Sequence, residues 1–151
     1  MKRKSIIQVF SIYAALIFVL LTSGCVGPTV WTYEGDRLPK SEVAVIKGGF
    51  YYYLLAHRTY IYRIDDSYPE ATKVSVLPGR HELVIKYVEY GLLGNDTSSR
   101  CVREAFNFEA GHEYKIKYLY EGIFREGVKI IDVTTGAIIF SQPWSMCGSG
   151  I

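Results

Sequence analysis

The chain carries almost no surplus of charge. Seventeen Lys and Arg stand against fifteen Asp and Glu, a net +2 over 151 residues. Nucleic-acid recognition wants a basic stripe, so nucleic acid is not expected as a partner. Histidine is scarce too: His57, His81 and His112 are the three, and none follows a His-x-x-x-His or His-Glu-x-x-His spacing for zinc. A Gly-x-Ser-x-Gly nucleophile elbow is missing as well. No catalytic residue, no metal and no cofactor is therefore expected, and the chain reads as a non-enzyme. Cysteine is the last scarcity, with three residues, and each has a distinct meaning.

Cys25 follows Leu21-Thr22-Ser23-Gly24 at the end of an apolar N-terminus. Lys2, Arg3 and Lys4 form a positive start. From Ile6 to Leu21 the chain is apolar except for Gln8, Ser11 and Tyr13, and the cleanest part is Ile12 to Leu21. That is the length of a signal-peptide core, whereas a bilayer span needs about 20 apolar residues. Ser23 and Gly24 are small enough for a peptidase to approach. The segment resembles the lipobox of bacterial lipoproteins, with Thr22 in the place usually held by Leu and Leu21 one position back. The resemblance implies diacylglycerol on the Cys25 sulfur, cleavage before Cys25 and acylation of the new N-terminus. Val26 next to it implies the outer membrane rather than the inner one.

Removing Lys2, Arg3 and Lys4 leaves fourteen basic and fifteen acidic side chains, a net −1. The expected organisation is a lipoprotein signal peptide over 1–24, a lipidated tether over 25–41 and one domain over 42–151. The tether has Gly27, Pro28, Gly35 and Pro39 and no clear period. Trp31 and Tyr33 are the residues in it that are able to pack back on the domain. With Cys25 lipidated, Cys101 and Cys147 remain as an even pair in an oxidising compartment, and a Cys101–Cys147 disulfide is expected.

From Glu42 onward, short runs of β-formers alternate with turn signals. The runs are Val43–Ile46, Thr59–Ile64, Lys73–Leu77, Leu83–Tyr90, Cys101–Phe108, Tyr114–Tyr120, Val128–Val133 and Ala137–Phe140. Asp65-Asp66-Ser67, Pro78-Gly79 and Thr134-Thr135-Gly136 separate them. Period-2 runs at this spacing predict an all-β chain, a small antiparallel β-sandwich of about seven or eight strands behind an N-terminal signal helix. Phe50 to His57 reads either as strand or as a short irregular segment. Two segments look alike: Gly79-Arg80-His81-Glu82-Leu83-Val84-Ile85-Lys86-Tyr87 and Gly111-His112-Glu113-Tyr114-Lys115-Ile116-Lys117-Tyr118.

A family resemblance rests on Ala44 to Gly48, Val76 to Leu83, Phe108 to Tyr114, and Asp132 with Thr135-Gly136. Together these resemble a group of uncharacterised bacterial envelope lipoproteins. Leu77-Pro78-Gly79-Arg80-His81 is similar to the turn that feeds a strand in PEGA-type β-sandwich repeats. The resemblance implies a small β-sandwich and no activity.

Two binding candidates follow from the sequence. Tyr51, Tyr52 and Tyr53 are consecutive, so one strand cannot bury all three, and exposed rings stack on sugars. Leu92 and Leu93 sit between glycines on a loop longer than a hairpin needs, where a partner contact is expected. The expected function is a lipid-anchored periplasmic lipoprotein that serves the cell envelope as a binding or accessory module, bound to the membrane through its anchor and to an envelope protein or glycan. The alternative is an envelope glycan-binding domain that uses exposed tyrosines.

Overall fold

The computed structural model describes residues 28–147 except 54, 91–95 and 121–125; at 50–53, 55, 56, 96–99 and 120 it describes the backbone alone. Cys25 and the signal segment lie outside the described residues, as do Leu92 and Leu93.

Eleven strands and no helix make up the described residues: β1 (Val30–Trp31), β2 (Ala44–Lys47), β3 (Gly49–Tyr53), β4 (Leu55–Ile64), β5 (Lys73–Val76), β6 (Gly79–Tyr90), β7 (Asp96–Phe108), β8 (Glu113–Tyr120), β9 (Glu126–Asp132), β10 (Ile138–Pro143) and β11 (Ser145–Met146). They form a six-stranded sheet, β1-β5-β2-β8-β9-β10, and a five-stranded sheet, β11-β7-β6-β4-β3. The chain is all-β, as its alternation predicts. It has more strands than expected, because β1 and β11 are two residues long and Phe50 to His57 falls in β3 and β4. It is also not purely antiparallel: β1 runs parallel to β5, and β2 parallel to β8.

One core lies between the sheets. Ala44, Ile46, Val74, Val76, Tyr114, Ile116, Val128 and Ile130 enter it from the six-stranded sheet; Ile61, Ile64, Leu83, Ile85, Val102, Phe106 and Phe108 enter it from the other. The alternation visible in the sequence decides which these are, since every second residue of a strand points to one face. Val30, within the stretch expected as a tether, packs against this core, while Trp31 beside it stays 47% exposed.

The chain passes from one sheet to the other at Gly48. A Cβ there would stand 2.2 Å from the Thr59 carbonyl oxygen, so only glycine fits. Thr59 is fully buried, and its hydroxyl accepts from the Gly49 N–H (3.0 Å) and donates to the Gly49 carbonyl (3.3 Å). The crossing is thereby fixed without an unpaired hydroxyl. Pro143 ends β10, an edge strand of its sheet, where its missing N–H costs the fewest ladder bonds.

Candidate functional site

The two look-alike segments become β6 and β8, one in each sheet. β6 opens on a glycine with positive φ, Gly79 at +131°, and β8 follows one, Gly111 at +79°. Matched from their His-Glu pairs, they align His81 with His112, Ile85 with Ile116 and Tyr87 with Tyr118. The two histidines mark one end of the core and the two tyrosines the other.

At the histidine end, a row of rings runs from sheet to sheet. His81 stacks toward Phe108 (6.2 Å), Phe108 meets Tyr114 edge-on (4.9 Å), and Tyr114 lies against His112 (6.2 Å). Each histidine has an aspartate. His81 Nδ1 is 2.6 Å from Asp65 Oδ2, and its Nε2 is 2.9 Å from the Leu77 carbonyl. His112 Nδ1 is 2.8 Å from Asp132 Oδ2, and its Nε2 is 3.5 Å from Glu109. Both rings face acceptors with both nitrogens. Glu82 pairs instead with Arg63 and Arg103, and Glu113 with Lys47. Among the described residues, no three His, Cys, Asp or Glu side chains converge on a metal position.

The aspartates have a second task. Asp132 Oδ1 accepts the Thr134 and Thr135 N–H groups and so closes the turn before β10; Asp65 Oδ1 accepts the Glu82 N–H. Burial alone pushes the Asp132 carboxyl up, but the hydrogen bonds from His112, Thr135 and the backbone outweigh it and hold it below the usual range. Burial likewise opposes, and the His81 and Glu82 hydrogen bonds then lower, Asp65. A carboxyl depressed by folding stabilises the fold above its unfolded value and loses that contribution as pH falls through its folded value. Thermal stability should therefore drop below about pH 4. Asp132→Asn should flatten this acid slope and cost about 1.5–3 kcal/mol at pH 7, the worth of a hydrogen bond to a charged group. Thermal melts of both proteins from neutral to strongly acidic pH check it, and equal slopes would remove Asp132 from the account. Asp65, with a side chain 47% exposed, should matter less.

At the other end, a polar cluster lies between the sheets. Tyr87 Oη is 2.5 Å from His57 Nδ1, and the Tyr87 and Tyr118 rings stack at 4.9 Å. Tyr118 hydrogen-bonds Tyr87 and Glu126, and Glu126 pairs with Arg100. Trp144 covers Tyr87 at 5.5 Å. Burial pushes the Tyr87 hydroxyl up to about 12, and burial followed by the Glu126 hydrogen bond raises Tyr118 further. Neither phenol ionises near neutral pH, so both serve as neutral hydrogen-bonding groups. The cluster braces β4, β6 and β7 of one sheet against β8 and β9 of the other. The sequence hints at it only through Tyr87 and Tyr118, which close the two similar segments; nothing in it couples His57, Arg100 or Glu126 to them.

The expected site residues are placed unevenly. Cys101 and Cys147 form the expected disulfide, Cα to Cα 5.0 Å. It joins β7 to the chain just after β11. The backbone of Tyr51, Tyr52 and Tyr53 lies in β3, an edge strand, in register with His57, Ala56 and Leu55 of β4; their side chains lie outside what is described. On the five-stranded sheet, Arg58 lies over Tyr60 (4.9 Å) and Lys86 over Tyr62 (3.5 Å), and Tyr68 meets Tyr62 edge-on. Comparison with protein-family models, curated proteins and solved structures finds no match for this chain.

Proposed function

We propose that the chain is a lipid-anchored bacterial envelope lipoprotein, a non-catalytic β-sandwich of PEGA-like type held at the periplasmic face of the outer membrane behind a cleaved signal helix, where it acts as a binding or accessory module. The observation that carries this reading is the Cys101–Cys147 disulfide. It speaks for an oxidising compartment, and it takes both later cysteines, which leaves Cys25 as the remaining thiol at the end of an apolar leader. The two sheets about one core support the sandwich part of the proposal.

A glycan-binding reading comes second. What favours it is Tyr68, whose 59% exposed ring stands beside Tyr62 on the five-stranded sheet. What weighs against it is that Tyr60 and Tyr62 already carry Arg58 and Lys86 on their faces.

Metabolic labelling with a fatty-acid analogue tests the anchor. The wild type should incorporate label and fractionate with membranes, and Cys25→Ser should lose essentially all label. Equal labelling of the two would end the lipoprotein reading.

A further inference from the structure

The outer face of the six-stranded sheet is a lysine surface. Alternation sends Ile46, Val74, Tyr114, Ile116, Val128 and Ile130 into the core and turns Lys47, Lys73, Lys115, Lys117 and Lys129 away from it. Register sets Lys73, Lys47 and Lys115 side by side on three adjacent strands. It also sets Lys117 opposite Lys129. Neighbouring strands lie about 4.8 Å apart, and like charges directly opposite one another destabilise a sheet. On these strands Glu113 is the one outward acid, 2.6 Å from Lys47 Nζ. Glu126 and Asp132 are engaged elsewhere, with Arg100 and His112. Lys40 and Arg37 act on Lys73 from the segment before β2, which also carries Glu34, Asp36 and Glu42. Burial first, then Lys47 and Lys40, hold the Lys73 ammonium below its ordinary value.

This crowding is not a consequence of composition, because the chain after Cys25 is close to neutral. Seven lysines follow Cys25, and Lys86 is the one that belongs to the five-stranded sheet. The arginines Arg58, Arg63, Arg80, Arg100 and Arg103 all lie on that other sheet. A row of like charges kept against its own repulsion is a local rule broken, and such breaks concentrate where a surface has work outside the fold. Trp31 stands on the same face, in register with Ser75 next to Val45, and is half exposed. An indole beside lysines suits the headgroup layer of a membrane.

We propose that the lysine face of the six-stranded sheet docks on anionic phospholipid headgroups of the membrane that anchors the chain. The proposal rests on the Cys25 reading for its geometry. Val30 follows Cys25 by five positions, and that many residues reach about 17 Å at most. The β1 edge of the lysine face therefore stays within that distance of the acyl attachment point. Lysine ammoniums are compact point charges that tolerate a fluid array of phosphates, whereas arginine forks suit fixed geometry.

The full chain, purified from membranes and reconstituted into vesicles, provides the test. One set is phosphatidylcholine alone, and the other contains about 30 mol% phosphatidylglycerol. Acetylation of each lysine is followed by mass spectrometry. Lys73, Lys115, Lys117 and Lys129 should react about threefold or more slowly on the anionic vesicles, and the difference should vanish in about 0.5 M NaCl. Lys86 should react alike on both. The triple variant Lys115→Gln, Lys117→Gln, Lys129→Gln, at exposed or half-buried positions, should restore fast reaction at Lys73. Equal rates on the two vesicles, or slowing of Lys86 to the same degree, would overturn the proposal. So would stronger protection by soluble polyphosphate over neutral vesicles than by anionic vesicles, which would point to a polyanionic chain as partner. The mass of the peptide containing Cys25 reports acylation in the same experiment. An unmodified Cys25 would refute the anchor, while the lysine rates would still decide the face.

Discussion

Phe108→Ala should cost the domain about 3–5 kcal/mol. Phe108 is the last residue of β7, 1% exposed, with ring contacts to Tyr114 at 4.9 Å, Phe106 at 5.9 Å and His81 at 6.2 Å. Tyr114 belongs to the opposite sheet, so this ring sits where the two sheets meet. Its removal leaves a cavity against Tyr114 of β8, a strand paired on both sides by β2 and β9. Domains of this size are stable by about 5–15 kcal/mol, so the variant should lose a large share of its stability and unfold at a clearly lower urea concentration than the wild type. Phe108→Leu, which keeps most of the volume, should cost about 1.5 kcal/mol or less. Urea titrations followed by far-ultraviolet circular dichroism measure both. A loss of under about 1 kcal/mol for the alanine would mean that this end of the core is not packed as described.

The disulfide should have an effect of similar size by another route. Cys101 and Cys147 are 46 residues apart, and closing a loop of that length removes about 4 kcal/mol of freedom from the unfolded chain by the entropy model. The double variant Cys101→Ala, Cys147→Ala should lose about that much, and wild type in reductant should match it. The two agree because the bridge acts on the unfolded state more than on contacts. Cys101 is itself 1% exposed, so alanine replaces it without introducing a buried polar group. β11, with two residues paired to Cys101 and Arg100, has too few ladder bonds to hold the end of the chain alone. Trp144, just before it and packed on the core, should report the release as a change in indole fluorescence. If neither reductant nor the double variant moves the midpoint, the bridge does not form in solution.

How far the sequence revealed this fold depends on how local each feature is. β8 was legible because Tyr114, Ile116 and Tyr118 alternate with Lys115 and Lys117 in one continuous run. β9 was legible for the same reason, and its turn showed in Thr134-Thr135-Gly136. β1 and β11 were not legible, since two residues make no period, and their pairing comes from β5 and β7 far along the chain. The parallel register of β2 with β8 was hidden too, because nothing near Val45 specifies Glu113 as its neighbour. That register sets Lys47 beside Lys115 and so joins the two halves of the lysine row, which was therefore invisible while every lysine in it was in plain view. The Tyr87 cluster is the same kind of object. His57, Arg100, Tyr118 and Glu126 come from four strands and meet only when both sheets have formed. The disulfide was legible by counting cysteines, which needs no register at all.

The interleaving of the sheets bears on how the chain reaches its native state. β2 must wait for β8, which lies 68 positions later at Val45 and Glu113, and the β11 edge and the disulfide reach β7 only at the far end of the chain. Neither sheet is complete until nearly the whole chain is present. Pairings this distant make folding slow, because loop closure precedes any gain from contact. The five-stranded sheet can gather its four longer strands first, its apolar face waiting for the sheet that covers it, and the last cysteine to appear is the one that locks its edge.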